Sequence, residues 1–413
     1  MTAPANVAAG VRPPVGVNRL FAAGALAGLS SHTATYGPLP IGIAATELAD
    51  LVRDAGLTGR GGAGFAAWRK LAATAEARGP ALAAGPVVIA NGAEGEPLSF
   101  KDATLLHNAP HLVIDGLLLL ARSLRASRAY LYAVPAHLAP VEQALAQRPD
   151  ARSIRVAAAP ETFISGEASA VVNAIQTGTA LPLDKVRRLS EDGLKHRPTL
   201  VHNVETLAHI ALIARFGADW FRSVGTADDP GTRLVSVSGD VPAEQVMEVA
   251  GGAALGGILA AAGADPDGVA AVLAGGYHGR WVRPEELRLA AAASGADTVR
   301  PGAGVLHVLG AHRCGLAETA RIVDYLAGQS ARQCGPCMFG LPAVSRVLDR
   351  LAEGDRSPDL LPELRRLGYA VAGRGSCHHP DGTVQLVESA LTAFADDVEL
   401  HLGGYCNRNA ATA

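Results

Sequence analysis

Cysteine is scarce in this chain: there are five among 413 residues, all from Cys314 onward. An odd number, absent from the first three quarters, excludes the paired framework that holds small secreted domains together. Charge of one sign is missing too. Lys and Arg number 36 against 39 Asp and Glu, a net charge of −3 with no block of like charges. That excludes nucleic acid and anionic membrane as main partners. Long apolar runs are lacking. The uncharged stretches from Leu20 to Thr46 and from Val249 to Ala264 are interrupted by glycine, and the first also by Pro, Ser and His. Neither gives about 20 consecutive strongly apolar residues. Arg19 followed by "LFAAGALAGL" has the look of a signal-peptide core, but no A-x-A site follows, and the chain reads as cytoplasmic.

What is present is material for sizeable cores: 49% of residues are hydrophobic, and 47 Gly and 25 Pro punctuate them. The length suggests about two to four domains. Residues 1–45 are rich in Ala, Gly and Pro and are expected to be an extended or weakly ordered lead-in. Over 46–225, helical and strand patterns alternate. Leu48, Leu51 and Val52 share a helical face; "VVIAN" (87–91), "AYLYAV" (129–134) and "IRVAAA" read as strands; "HLVIDGLLLLARSL" and "VEQALAQR" read as helices. Such alternation implies an α/β layer with a largely parallel sheet. Over 230–296 the texture changes to strands around one helix, "LGGILAAAG", which implies a small α+β unit. Over 305–405 the pattern is helical, with stripes at Leu316, Ala320, Val323 and Ala327, at Leu341, Val344, Leu348 and Leu351, and at Val387, Leu391, Phe394 and Val398. With "DLLPELRRLG" these predict a four-helix bundle.

Two motifs carry chemistry. Cys334 and Cys337 form C-G-P-C, and Cys377 follows 40 residues after Cys337. The thioredoxin dithiol has the same four residues, but there a buried strand precedes them, and here a helical stripe does. A zinc site could use Cys334, Cys337, Cys377 and His378 or His379. From spacing alone, zinc and an iron–sulfur cluster remain open. "GRGGAG" (59–64) satisfies G-x-G-x-x-G but follows a helix rather than a strand, so it is not a standard dinucleotide turn. Its glycines still let backbone N–H groups approach an anion, with Arg60 and Lys70 as fixed positive charge.

"GLTGRGGAGFAAWRKL", "NGAEGEPLSFKD", "NAPHLVIDGLLL", "FISGEASAVVNAIQTG" and "RPTLVHNVETLAHI" occur in this order from about residue 45. In order and spacing they resemble the NADH-binding flavoprotein subunit of respiratory complex I, a family shared with NAD-linked hydrogenases and formate dehydrogenases. The resemblance extends to about residue 400. It implies an α/β FMN-binding domain, a ubiquitin-like β-grasp domain of the SLBB type, and a C-terminal four-helix bundle carrying a [4Fe–4S] cluster. It further implies FMN contacts at Gly59, Arg60, Gly61, Lys70, Asn91, Glu94, Gly166, Glu167, Asn203 and Thr206. NAD would meet Phe65, Glu96, Phe163 and Lys185. The cluster would be held by Cys334, Cys337 and Cys377.

The chain also departs from the family pattern. Its first cluster cysteine is replaced by Ala331, which leaves three thiolates and points to a [4Fe–4S] cluster that also exists as [3Fe–4S], with Cys314, His378, His379 or water as candidate fourth ligand. Acids are replaced by Ala93 and Ala168, an Asn by His202, and two aromatics by Ala73 and Arg188. The implied activity is an oxidoreductase passing electrons from NAD(P)H through FMN and the cluster to a ferredoxin or another redox subunit, peripheral to a membrane complex at most. The alternative is a scaffold subunit with partly lost cofactor sites.

Overall fold

The computed structural model describes residues 17–77, 85–183, 187–284, 287–291 and 295–406. Four parallel strands build the first sheet: β1 (Val87–Gly92), β2 (Arg128–Ala133), β3 (Ile154–Ala158) and β4 (Thr199–Asn203), in the order β3-β2-β1-β4. Val87 to Ala90 are fully buried, as a central strand covered on both faces requires. On one face lie α2 (Ala45–Ala55), α3 (Ala67–Ala75), α4 (Lys101–Asn108), α5 (Pro110–Ser123), α6 (Leu138–Ala146) and α8 (Val204–Arg222, broken at Gly217). On the other lies α7 (Ala168–Thr177), whose Val171 and Val172 pack on Ile89, Tyr132 and Val201. Pro110 occupies the first turn of α5, where its missing N–H costs nothing. Gly116 lets α5 meet α8 backbone to backbone; a Cβ there would sit 2.1 Å from the Leu207 carbonyl oxygen.

Asp115 of α5 is the buried anchor of this face. It accepts from His32 at 2.7 Å and from Arg148 at 2.8 Å, and it also pairs with Arg215. Burial opposes its ionisation, yet the His32 hydrogen bond and the two guanidiniums hold its carboxyl at about 2. Asp115→Asn would leave two buried cations short of their counter-charge. It is expected to destabilise the chain by about 3–5 kcal/mol, read from denaturant unfolding.

The lead-in expected to be loosely ordered is tied down over its described part. Residues 29–36 form α1 (Leu29–Tyr36), and Leu20 and Phe21 join the core. The main-chain N–H groups of Arg19 and Leu20 both donate at 2.9 Å to Glu248, which also accepts from Thr232 Oγ1. Burial pushes the Glu248 carboxyl up to about 7. Between about pH 4.5 and 7 the folded chain therefore keeps a proton that the unfolded chain has released. The contribution of this group is fully present below about pH 4.5 and is lost as pH rises through 7. Glu248→Gln is expected to flatten that decline, by about 2 kcal/mol between pH 5 and 8, in thermal or urea unfolding followed against pH.

The second unit is a mixed five-stranded sheet. It contains β5 (Thr232–Gly239), β6 (Gln245–Ala250), β7 (Val269–Ala274), β8 (Arg280–Val282) and β11 (Val305–Gly310), in the order β6-β5-β11-β7-β8. A short pair, β9 (Arg288–Leu289) and β10 (Thr298–Val299), and the helix α9 (Leu255–Ala261) complete it. The expected end of this unit at 296 and the start of the helical part at 305 are corrected here. β11 is the middle strand, parallel to β5 and antiparallel to β7, so the unit runs to Gly310. Its partner β5 lies far back in the sequence, and nothing local marks such a pairing.

The third unit is helical: α10 (Gly315–Gly328), α11 (Leu341–Ala352), α12 (Leu360–Val371), α13 (His379–Ala393) and α14 (Ala395–Leu402). The single last helix expected from the stripe through Phe394 is two helices, because the chain leaves helical geometry at Phe394, φ −114° and ψ 32°. Phe394 and Val398 remain on the core side, with Leu316, Leu348 and Leu386.

Candidate functional site

The strand order reverses between β1 and β4: β2 and β3 are added on one side of β1, and β4 on the other, which makes a switch point. In open α/β sheets, ligands bind in the crevice at such a point. Asn91 ends β1, and Asn203 ends β4 and caps α8, its Oδ1 accepting from Glu205 N–H at 2.9 Å. Asn203 Nδ2 reaches the Asn91 carbonyl at 3.4 Å and Asp102 at 2.5 Å. Asn91 Nδ2 donates to the Gly166 carbonyl at 2.9 Å, just ahead of α7. Glu167 caps α7, taking the N–H groups of Ser169 and Ala170. Two helix N-termini thus converge on the crevice, a setting that favours an anion.

The glycine loop closes over the same point. Thr58 bridges to Ala66, Gly59 N–H donates to the Phe65 carbonyl at 2.8 Å, and the loop opens α3. Gly61 lies against Asn203; a Cβ on it would be 3.2 Å from the Asn203 Cβ. Arg60 N–H is spent on Thr206 Oγ1 at 2.9 Å. Among the described residues, the next four N–H groups, from Gly61 to Gly64, have no acceptor in the chain. Consecutive free donors beside two helix starts form a nest for a phosphate-bearing group, and they fit the mononucleotide end of a flavin. Lys70, on α3, is exposed as a residue, yet its Nζ lies 3.4 Å from the Val201 carbonyl; desolvation there lowers its pKa, against the pull of Glu167.

Several expected contacts have other engagements. The Arg60 guanidinium turns inward: it donates to Thr58 Oγ1 and to the Thr232 carbonyl, each at 3.0 Å, and faces Glu205. Burial and the neighbouring Arg233 lower its pKa to about 9. Arg60 therefore ties the first sheet to the second, and its side chain does not serve the loop. Glu94 accepts from Ser99 Oγ and from the N–H groups of Asp102 and Ala103, fixing the start of α4. Glu96 accepts from Tyr277 N–H at 2.8 Å across the seam to the second unit, and burial raises its pKa to about 7. Phe65 stands half-exposed at the end of the loop, whereas Phe163 packs into a ring cluster with Tyr277, His278, Tyr325 and His379. Lys185 lies outside the described residues.

That ring cluster went unread in the sequence. It joins all three units: Phe163 comes from the first, Tyr277 and His278 from the turn after β7, and Tyr325 and His379 from the bundle. The aromatic–histidine run "GGYHG" after a strand was the available signal. A cavity of about 820 Å³ lies next to it, lined by Gly59, Gly62, Ala63 and Gly64 of the loop and by Arg280, Arg283 and Arg300. It does not include Asn91, Asn203 or Lys70 and is distinct from the crevice at the switch point.

Cys334, Cys337 and Cys377 come together at the far side of the seam. Cys334 bonds to the N–H groups of Ser376 and Cys337; although burial works the other way, its thiol is held below its ordinary value. Burial, with Cys334 and Cys377 beside it, pushes the Cys337 thiol up to about 12. No strand leads into the pair; a single π-turn, Pro336–Gly340, contains Cys337 and runs into α11, which excludes the thioredoxin arrangement. In a tetrahedral zinc site, ligand atoms stand about 3.8 Å apart. Among the described residues, the one group of three His, Cys or acidic ligand atoms all within 4.8 Å of one another is elsewhere, at Cys314, His401 and Cys406. The wider set at 334, 337 and 377 fits the larger cubane better. Ser330 Oγ, in the same segment, is buried without a partner.

Of the candidate fourth ligands, Cys314 is excluded. It precedes the 14-residue α10, while the three thiols lie past the other end of that helix, roughly 20 Å away. His379 has both ring nitrogens engaged, with His278 at 3.1 Å and the Leu326 carbonyl at 2.8 Å. His378 is exposed, next to Cys377, with Nδ1 3.5 Å from Asp381.

Residues 52–212 match the Nuo51 FMN-binding domain, and residues 317–401 match the NADH-ubiquinone oxidoreductase-F iron-sulfur binding region. The chain belongs to the NADH-binding flavoprotein family of complex I. It is 28% identical over 378 residues to the F 2 subunit of NADH-quinone oxidoreductase from Rhizobium meliloti (strain 1021), covering 86% of this chain and 89% of that protein. It is 27% identical over 380 residues to the NADP-reducing hydrogenase subunit HndC of Solidesulfovibrio fructosivorans, covering 86% and 76% respectively. Among solved structures, an NAD+-reducing [NiFe]-hydrogenase in the air-oxidized state superposes with a TM-score of 0.80 at 29% identity. The match covers 88% of this flavoprotein-family chain and 64%, less than two thirds, of that one. No single helix among the described residues is long and apolar enough to cross a membrane.

Proposed function

We propose that this chain is the electron-input subunit of a cytoplasmic oxidoreductase, passing electrons from NAD(P)H through FMN and a [4Fe–4S]-type cluster to a protein acceptor such as a ferredoxin or a neighbouring redox subunit. The observation that carries the reading is the row of free N–H groups from Gly61 to Gly64 over the switch point. When bound, FMN supplies a two-electron acceptor for hydride that can release electrons singly, and the cluster takes them one at a time.

The chain's own part is alignment and electrostatics. Gly59, Gly61 and the Asn203–Thr206 start of α8 hold the phosphate side, with Lys70 as the cation. Asn91, Glu94, Gly166 and Glu167 fix the crevice walls, directly or by tying down α4 and α7. Phe65, Glu96 and Lys185 serve the nicotinamide nucleotide. Phe163 lies in the ring cluster between crevice and thiols, which excludes water from that path. The second sheet, with its first two strands antiparallel and its last strand inserted parallel to the first, has the order of a ubiquitin-like β-grasp. Met338 and Phe339, exposed beside the thiols, offer apolar contact to an acceptor.

The test is anaerobic purification with assay of flavin, iron and acid-labile sulfide. About one FMN per chain with a broad cluster absorbance supports the reading; a colourless, iron-free protein from iron-replete cells rejects it. That result would support the second reading, a scaffold subunit, which Ala331 and Ala168 favour. Ala168 removes a negative charge and Arg188 adds a positive one on the nucleotide side. NADPH is therefore expected to bleach the flavin alongside NADH in stopped-flow mixing, since an added Arg accommodates a 2′-phosphate. Bleaching by NADH alone would show that the two substitutions are silent.

A further inference from the structure

Cys314, His401 and Cys406 lie at the end of the bundle remote from the three cluster thiols. Their ligand atoms all lie within 4.8 Å of one another. Cys314 is buried at the cap of α10, its Sγ 3.4 Å from His401 Nε2. His401 is buried near the end of α14, and its Nδ1 is 3.1 Å from the Leu351 carbonyl. An acceptor at that distance keeps the proton on Nδ1 and leaves the Nε2 lone pair directed at Cys314, the arrangement found behind metal-binding histidines. Cys406 is exposed and is brought back by a turn: Gly404 N–H donates to the His401 carbonyl at 2.9 Å and Tyr405 N–H to the Leu400 carbonyl at 3.0 Å. Gly404 has φ +81°, a conformation glycine alone adopts without strain. Two sulfurs and an oriented imidazole thus converge with one side open to solvent.

We propose that these three residues bind a zinc ion, which fastens the C-terminal turn to the start of α10. Two thiolates and a neutral imidazole are the soft donor set that zinc prefers, and a solvent water completes the tetrahedron. Binding releases one proton from each thiol, and the two thiolates neutralise the divalent charge. The Cys314–His401 pair, at 3.4 Å, already stands at the spacing of two zinc ligands, and any adjustment falls to the exposed Cys406. Neither Cys314 nor Cys406 belongs to the cluster set, so the site stands apart from the flavin and cluster reading.

The experiment titrates the full-length chain, purified anaerobically in reductant, with cobalt(II) and then displaces it with zinc. One thiolate-bound cobalt per chain is expected, with tetrahedral absorption that zinc abolishes. Cys406→Ser and Cys314→Ser are expected to weaken that uptake roughly ten-fold or more, while Cys377→Ser leaves it unchanged. Cys406 is exposed, so its variant tests the site even if the Cys314 variant fails to fold. Uptake unaffected by Cys406→Ser, or lost only in Cys377→Ser, overturns the proposal. So does a Cys314–Cys406 disulfide found by thiol alkylation and mass spectrometry in the reductant-treated protein.

Discussion

Gly61→Val is expected to abolish flavin binding while leaving the chain folded. A Cβ at this position already meets Asn203 Cβ at 3.2 Å, and the two further methyl groups of valine have to go over the free N–H row or against the cap of α8. The first choice fills the space of the phosphate; the second pushes the loop off the crevice. The loop lies over the sheet edge rather than in the core, so the cost in stability is about 1–3 kcal/mol. Flavin released by denaturation is expected to fall from about one per chain to near none, with the circular dichroism spectrum unchanged. Stoichiometric flavin in the variant would remove the glycine loop from the site.

The cluster carries the second large effect. With Ala331 in place of the family's first cysteine, Cys334, Cys337 and Cys377 would hold three corners of a cubane, and the fourth iron would be left with His378, water or another exchangeable ligand. Air is expected to convert the four-iron form to a three-iron form, visible in EPR. Ala331→Cys is expected to slow that loss several-fold, because residue 331 lies three positions before Cys334 on the same segment. Cys337→Ser, which removes the most buried of the described contacts among these thiols, is expected to prevent cluster assembly altogether. Zinc at about one per chain without acid-labile sulfide would reject the cluster and the electron path together.

Much of the first unit was legible because its strands announce themselves locally. "VVIAN", "AYLYAV" and "IRVAAA" became Val87–Gly92, Arg128–Ala133 and Ile154–Ala158 with shifts of about one residue, as continuous apolar runs between turn signals should. The heptad-like stripes of the bundle held for the same reason, until Phe394, where one stripe runs through two helices.

The available chemistry is legible in the sequence: a glycine-rich loop, three thiols in a fixed spacing with a fourth missing at Ala331, and the ordered motifs of one family. The use made of each polar side chain is not, because it depends on packing. Arg60 reads as a phosphate cation, yet its guanidinium is consumed by Thr232 and Glu205; Glu94 reads as a flavin contact, yet both its oxygens fasten α4. A buried charge or donor has to find partners, and those can be near in sequence, as the start of α4 is to Glu94, or far, as Thr232 is 172 residues from Arg60. The same holds for β11, whose pairing with β5 is non-local, and for Cys314 and His401, 87 residues apart in sequence and in contact in space. Local pattern fixes the elements; long-range packing, which no window of sequence contains, assigns the side chains.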